Sequence, residues 1–550
     1  MKKLLSLIMS TMLMVGSFAT FTACKPTEEI DPDKTQLYVS IQACGLGSTF
    51  LTSLKTAYEA KNPDVQIVPI TDGPGGSEVL AEVQNGGSDV YMFTNSAITD
   101  FVGMTSQTSN YFADITDIVT EKGDDNKSIH DKLFEGTKDY YNVNTEEAPK
   151  YFALPWFNSY FGTVYDVDLF ESRHLYSTDP LSELKGSYVG YDGKKGTADD
   201  DWGPDGIEGS FDDGLPATYE DLKALWVEMD AQDIIPYSWT SFDGYSQGWL
   251  SMVWASYEGT NYELMKDFNG TYYTSNNSPV EINNDNGYLL AYMNGKRAAL
   301  QVAEDIIRGE YYLKISDNTS QDNIAAQTSY LKSIESDYPI AFLMEGSWWE
   351  NESKAVFEEM ATYIDAKYAY GERRFGLMPF PRFIGTTGIP NQVNEKVTFM
   401  GGDIGNGCSA IAINKNTKVM DIAKDFVKFA YSDEMNVDFN IESGVSRPIN
   451  YDIPESAMER LTYYQKNVYE ISQNENLYIV NGGTRSSYAV QEPEFLASIS
   501  GFKALSPSNV SWSNPLRQFI QDSTLTAEAF MTGVQKLITK DQWDKYFVNK

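Results

Sequence analysis

The chain has 550 residues and a formal net charge of −36, with 42 Lys and Arg against 78 Asp and Glu. That field repels phosphate backbones and anionic lipid and, with no basic patch in the sequence, excludes nucleic-acid binding and favours a neutral or cationic ligand. Two histidines (His130, His174) and three cysteines (Cys24, Cys44, Cys408) are too few for a Cys/His zinc cluster or a disulfide framework.

Residues 1–23 read as a signal peptide: Lys2 and Lys3, an apolar run from Leu4 to Val15, then small and polar residues up to Phe21-Thr22-Ala23. The ending FTAC resembles the lipobox of bacterial lipoproteins. That resemblance implies cleavage before Cys24, a diacylglyceryl group on its thiol, and anchoring to the outer face of the cytoplasmic membrane. The polar, proline-containing stretch over 24–35 reads as a tether. No later apolar run is long enough to span a bilayer. With Cys24 given to lipid, a disulfide between Cys44 and Cys408 is open, and free thiols are the expected state.

LYVSIQA then alternates as a strand, and Gly45-Leu46-Gly47-Ser48 opens a helix with Phe50, Leu51, Leu54, Ala57 and Tyr58 on one face, stopped at Asn62-Pro63-Asp64. VQIVPI is a second strand, Glu78 to Val83 a helix, and SDVYMF a third strand. This βαβαβ rhythm predicts a parallel sheet with ligands at the carboxyl ends of its strands. Aromatic residues crowd in from YFALPWF. A helix follows Pro216, with Thr218 capping, Asp221 three residues on, and an apolar stripe of Leu222, Leu225, Trp226 and Met229. RFGLMPFP is a short strand before a turn. SAIAIN is another strand, leading to a helix around Ala423, Phe426, Val427 and Ala430. The rest is mostly helical.

A Gly/Asp-rich insertion spans 186–214. GYDGKKGTADDD is followed by GPDGIEGSFDDG, and the register pairs Asp192 with Asp205, Asp199 with Asp212, and Asp200 with Asp213. Aspartates and glycines at fixed spacing supply oxygen ligands on a sharply turning backbone, which suits calcium; a flexible solvated loop is the alternative. The expected ligands are Asp192, Asp199, Asp200, Asp205, Asp212 and Asp213. In either case the insertion serves stability.

The ordered segments ACGLGSTFLTSLKTAYEAKNPDV, GGSDVYMF, YFALPWFNSYFGTVYDVDLFE, GLPATYEDLKALWVEMDAQDIIPYSWT, IAFLMEGSWWENE, RFGLMPFP and SAIAINKNTKVMDIAKDFVKFAYSDE with GVSRP resemble the extracellular solute-binding lipoproteins of carbohydrate ABC importers, of the maltodextrin-binding type found in Gram-positive bacteria. The resemblance implies an α/β fold of two lobes, 36–155 with 398–435 and 156–395 with 436–550, closing a hinged cleft on a ligand. It also implies a monomer that delivers an oligosaccharide to permease subunits. The chain is long for that pattern, through the insertion and the segment from Asn261 to Ser336.

Sugars present apolar C–H faces ringed by hydroxyls, so their sites use aromatic platforms edged by polar groups. Candidate ligand-binding residues are Trp156, Phe157, Trp239, Asp243, Tyr245, Glu345, Trp348 and Trp512, with Phe93, Asn95 and Asp403 at strand ends facing the cleft. Adjacent residues do not share a face, so Trp348 and Trp349 divide their roles. The resemblance places Trp348 on a sugar ring and leaves Trp349 for the lobe's core. Glu350 and Glu352 suit the first turn of a following helix. A glycoside hydrolase, which adds two catalytic carboxylates, and a binder of peptides or polyamines are the alternatives; the family resembled is not catalytic.

Overall fold

The computed structural model describes residues 29–548 except 43, 72, 74–76, 95–110, 124–125, 135–136, 139–140, 144–147, 267, 402–408, 481–488 and 491–492. Cys24, Asn95, Asp403 and the Cys408 thiol therefore lie outside the described residues.

The first five elements follow the predicted rhythm: β1 (Thr35–Ile41), α1 (Thr49–Lys61), β2 (Val65–Ile70), α2 (Ser77–Asn85) and β3 (Val90–Thr94). β1 lies between β2 and β3, parallel to both, with Val39 opposite Val90. Leu37, Val39, Ile41 and Ile67 are fully buried, and α1 seals one face through Phe50, Leu51, Leu54 and Tyr58. Crossovers through helices bury both faces of such a sheet, which is why its strands read as apolar runs.

The chain then enters a second sheet through β4 (Tyr160–Asp166), whose seven residues are all buried. A helix α3 (Tyr219–Ala231) starts on a reciprocal box between Thr218 and Asp221 and buries Leu222, Leu225, Trp226 and Met229. It leads into β5 (Ile235–Ser238). After α4 (Asp243–Glu258), α5 (Asn294–Arg308) and α6 (Asn323–Lys332), β6 (Ile340–Gly346) pairs parallel to β5 and antiparallel to β4. A short helix α7 (Trp349–Glu352) follows, then β7 (Phe375–Met378) and β8 (Thr398–Gly401), both antiparallel to β4.

β9 (Ser409–Ile413) returns to the first sheet, antiparallel to β3. The two strand orders are thus β9-β3-β1-β2 and, with β10 (Tyr478–Val480) at its edge, β10-β8-β4-β6-β5, with β7 also on β4. The helices α8 (Met420–Ala430) and α9 (Asp433–Ser443) follow β9, and α8 buries the four residues expected of it.

Three lobe boundaries differ from the sequence reading, the first because Trp156 and Phe157 pack on Phe50 and Phe93 and so belong to the first lobe. Residues 398–401 form β8, held in the second sheet between β4 and β10, so the first lobe resumes after them. The boundary at 435 falls inside α9, a continuous helix capped by Ser432 and ended by left-handed Gly444 at φ +80°. α9 stays with the first lobe because Phe439 packs edge-on to Phe50 at 4.9 Å.

Candidate functional site

The end of β6 builds the seam between the lobes. Ser347 N donates to Tyr160 O at 2.9 Å, and Tyr160 N donates to Ser347 Oγ at 3.0 Å. These two bonds pin the turn to β4 just where the chain leaves the sheet. Gly346 is required by close approach: a Cβ there would stand 2.2 Å from the Trp348 ring.

From that turn the two indoles part. Trp349 is fully buried in the second lobe's core, edge-on to Phe375 at 5.0 Å, to Tyr330 at 5.7 Å and to Tyr464 at 5.7 Å. Trp348 sits edge-on to Phe161 at 5.1 Å and to Tyr245 at 6.2 Å. Its remaining side meets the first lobe: a Cβ on Gly45 would be 3.1 Å from Trp348 Cδ1 and 3.0 Å from Glu352 Oε1. Asn351 Nδ2 crosses the same seam and donates to Gly45 O at 3.2 Å and Leu46 O at 2.7 Å. Trp348 is 1% exposed with the lobes in contact.

Beneath Trp348 lies a pair of carboxylates. Gln327 Nε2 donates to Glu345 Oε1 at 3.1 Å and to Glu352 Oε2 at 2.5 Å, while Ser353 Oγ donates to Gln327 Oε1 at 2.8 Å and so turns the amide hydrogens toward the acids. Burial, then the Glu352 charge, push the Glu345 carboxyl well above the usual carboxylate range. Glu352 is raised as well, by burial first. The Tyr245 hydroxyl is raised by burial, then by the charges of Glu345 and Glu352. Glu350, on the first turn of α7 as expected, is buried against Thr462 Oγ1 at 2.6 Å and pushed up to about 7, so desolvation outweighs the helix dipole there.

The other candidates fall into three places. Trp156 is fully buried; its Nε1 donates to Phe93 O at 3.1 Å and its ring stacks on Phe50 at 5.6 Å, which fastens the end of β3. Phe157 lies edge-on to Trp156 at 4.6 Å, and Phe93 stacks on Phe112 at 5.8 Å; both are buried. These three form one packed group in the first lobe. Trp239 is buried in the second lobe, stacked on Tyr312 at 5.1 Å. Asp243, at the start of α4, pairs with Arg517 Nη1 at 2.9 Å and accepts from Asn514 Nδ2 at 2.9 Å. Arg517 also holds Asp317 at 3.0 Å. Trp512, partly exposed and stacked on Phe530 at 5.6 Å, lies two residues before Asn514. Phe242, 51% exposed beside Asp243, was not anticipated from sequence. Nor was Gln327, since a glutamine within a helix carries no mark of the acids it will meet.

The insertion repeats in space as it does in sequence. Asp192 N donates to Asp199 Oδ2 at 2.7 Å and, in the second copy, Asp205 N to Asp212 Oδ2 at 3.1 Å. Gly196 N donates to Asp200 Oδ2 at 2.7 Å and Gly209 N to Asp213 Oδ2 at 2.8 Å. The aspartate register therefore closes turns, at glycines whose φ is positive in both copies. The copies differ in burial. Asp192 is also paired with Lys194 at 3.1 Å, whereas Asp212 is fully buried, and Asp205 Oδ2 and Asp213 Oδ1 have no hydrogen-bond partner. Among the described residues no three His, Cys, Asp or Glu side chains gather as a metal-binding group.

Two α/β lobes meeting over an aromatic and acidic seam define a two-lobed binding protein. A model of the bacterial extracellular solute-binding proteins matches residues 45–437, and the chain belongs to that family. It is accordingly a non-catalytic, extracellular solute-binding component of an ABC importer. No curated protein sequence matches the chain. Among solved structures, T. maritima MalE3 with maltose bound is 12% identical, with 93% of this chain and 99% of that one covered at a TM-score of 0.53. Apo RafE from Streptococcus pneumoniae is 14% identical, covering 93% and 99% at 0.51. A sugar transporter from Bacillus licheniformis in complex with stachyose is 13% identical, covering 93% and 100% at 0.50. At such identities the likeness speaks for the fold. No helix among the described residues is long and apolar enough to cross a membrane.

Proposed function

We propose that the protein captures an oligosaccharide between its lobes and hands it to membrane permease subunits, with Trp348 as the stacking platform. The observation that carries this reading is the placement of Trp348: an indole on a pinned turn, flanked by Phe161 and Tyr245, with polar groups of both lobes around it. An aromatic face edged by carboxyl, amide and phenol groups matches what sugar rings present. The relatives solved with maltose and with stachyose support a saccharide ligand. A thermal-shift screen of defined oligosaccharides, with product analysis, tests the reading. A shift without turnover is the expected result, and no shift with any saccharide would contradict it.

The leader supports lipid attachment at Cys24, and Cys24→Ser is expected to release the protein into the medium. For the insertion, the second copy favours calcium, because its buried Asp212 lies against Asp205 and two carboxylate oxygens have no partner. A cation bound to the folded state alone raises stability by mass action. Chelator is therefore expected to lower the melting temperature of the wild type and to leave a variant lacking residues 190–214 unaffected.

A further inference from the structure

The saccharide reading leaves one feature of the seam unexplained. Glu345 is 1% exposed, and its Oε2 has no hydrogen-bond partner. One amide group, Gln327 Nε2, bridges Glu345 to a second acid, Glu352. Buried acids are ordinarily paired with a cation. Among the described residues no lysine, arginine or histidine forms an ion pair with either of them: Lys354, on the same turn, reaches Glu442 O, and Arg373 is taken by Asp166. The indole of Trp348 and the backbone of Gly346 ease the Glu345 charge in part, but neither brings a positive charge. The cover over this pair comes from the other lobe, where Gly45 lies against Glu352 and Trp348. Opening the lobes therefore lifts Gly45 from both Glu352 and the indole.

Resting on the saccharide reading, the geometry points to a ligand that carries a protonated amine, an amino sugar, whose ammonium seats on Glu345 and Glu352 while its ring faces Trp348. An ammonium brings three donors and one positive charge to two acids that share a single amide. A neutral hydroxyl brings one donor and leaves the repulsion between the acids in place. The net charge of −36 adds to this by drawing cations toward the protein. The arrangement also separates an amino sugar from its N-acetyl counterpart, which is uncharged at the same atom.

The test is calorimetry on the full chain with matched pairs of oligosaccharides of several linkages, each pair differing by a free amine against its N-acetyl form, and with spermidine as a third ligand. The amine member is expected to bind about tenfold or more tightly, a difference of about 1.4 kcal/mol. Glu345→Gln and, separately, Glu352→Gln are expected to remove that preference, read as the ratio of the amine and N-acetyl affinities within each variant whatever its absolute affinity, with melting curves to confirm that each variant is folded. Equal or tighter binding of the N-acetyl forms, or a preference untouched in both folded variants, overturns the inference and leaves the saccharide reading standing. Binding of spermidine with no saccharide bound overturns both.

Discussion

The two sides of the Trp348-Trp349 pair are built from opposite materials. Below, Trp349 is enclosed by the rings of Phe375, Tyr330, Phe357 and Tyr464, a shell that belongs wholly to the second lobe. Above, Trp348 meets the rings of Phe161 and Tyr245, the Glu345 carboxyl and the backbone of Gly45 from the other lobe. Both indoles are nearly inaccessible, so burial alone does not separate their roles. What separates them is which lobe supplies the cover: that of Trp349 comes from the second lobe alone, that of Trp348 partly from Gly45 of the first.

Substitutions along this turn can break or sharpen the contrast. Trp349→Ala removes an indole held by four rings in the second lobe's core and is expected to cost about 3–5 kcal/mol in denaturant unfolding, with ligand affinity unchanged in the folded protein. Gly346→Ala places a methyl where the Trp348 ring lies and is expected to cost about 1–3 kcal/mol, read as lost affinity together with a lower melting temperature.

A pH profile probes the acid between the two sides. Glu350 has a folded pKa of about 7 against an ordinary value of 4.5, so the folded state holds its proton more tightly. Its contribution is complete below pH 4.5 and is lost as pH rises through 7, at no more than about 1.4 kcal/mol per pH unit. Glu350→Gln is expected to flatten stability between pH 4.5 and 7; an unaltered slope would show that other buried acids, Glu258 with its pKa of about 7 among them, set it. Smallest is Asn351→Ala, which removes the amide that spans the seam. It is expected to cost about 1 kcal/mol of lobe contact, seen as a more extended particle by small-angle scattering and a slight loss of affinity.

Much of the fold was legible because its signals are local. The alternation of β1, the stripe of α1, the Thr218–Asp221 box and the four apolar positions of α8 all sit within a few residues of the structure they specify. The allegiance of β8 and α9 was not legible, since it depends on strands and helices hundreds of residues away. The insertion shows a third case. Its repeat was plain in the sequence, but the backbone bonds that give the repeat a purpose needed coordinates. At the site, the turn at Gly346 sends Trp348 and Trp349 into different packed groups, as neighbours that share no face must go. Gln327 had no signal, because its importance lies in the two acids that the fold brings to it.

The most direct test of the account is calorimetry of the Trp348→Ala protein with the tightest oligosaccharide found by thermal shift, alongside its melting curve. A platform that works between the lobes predicts a folded variant that has lost about 2 kcal/mol or more of binding free energy. Unchanged affinity in a folded Trp348→Ala protein would contradict it and place both tryptophans in the architecture alone.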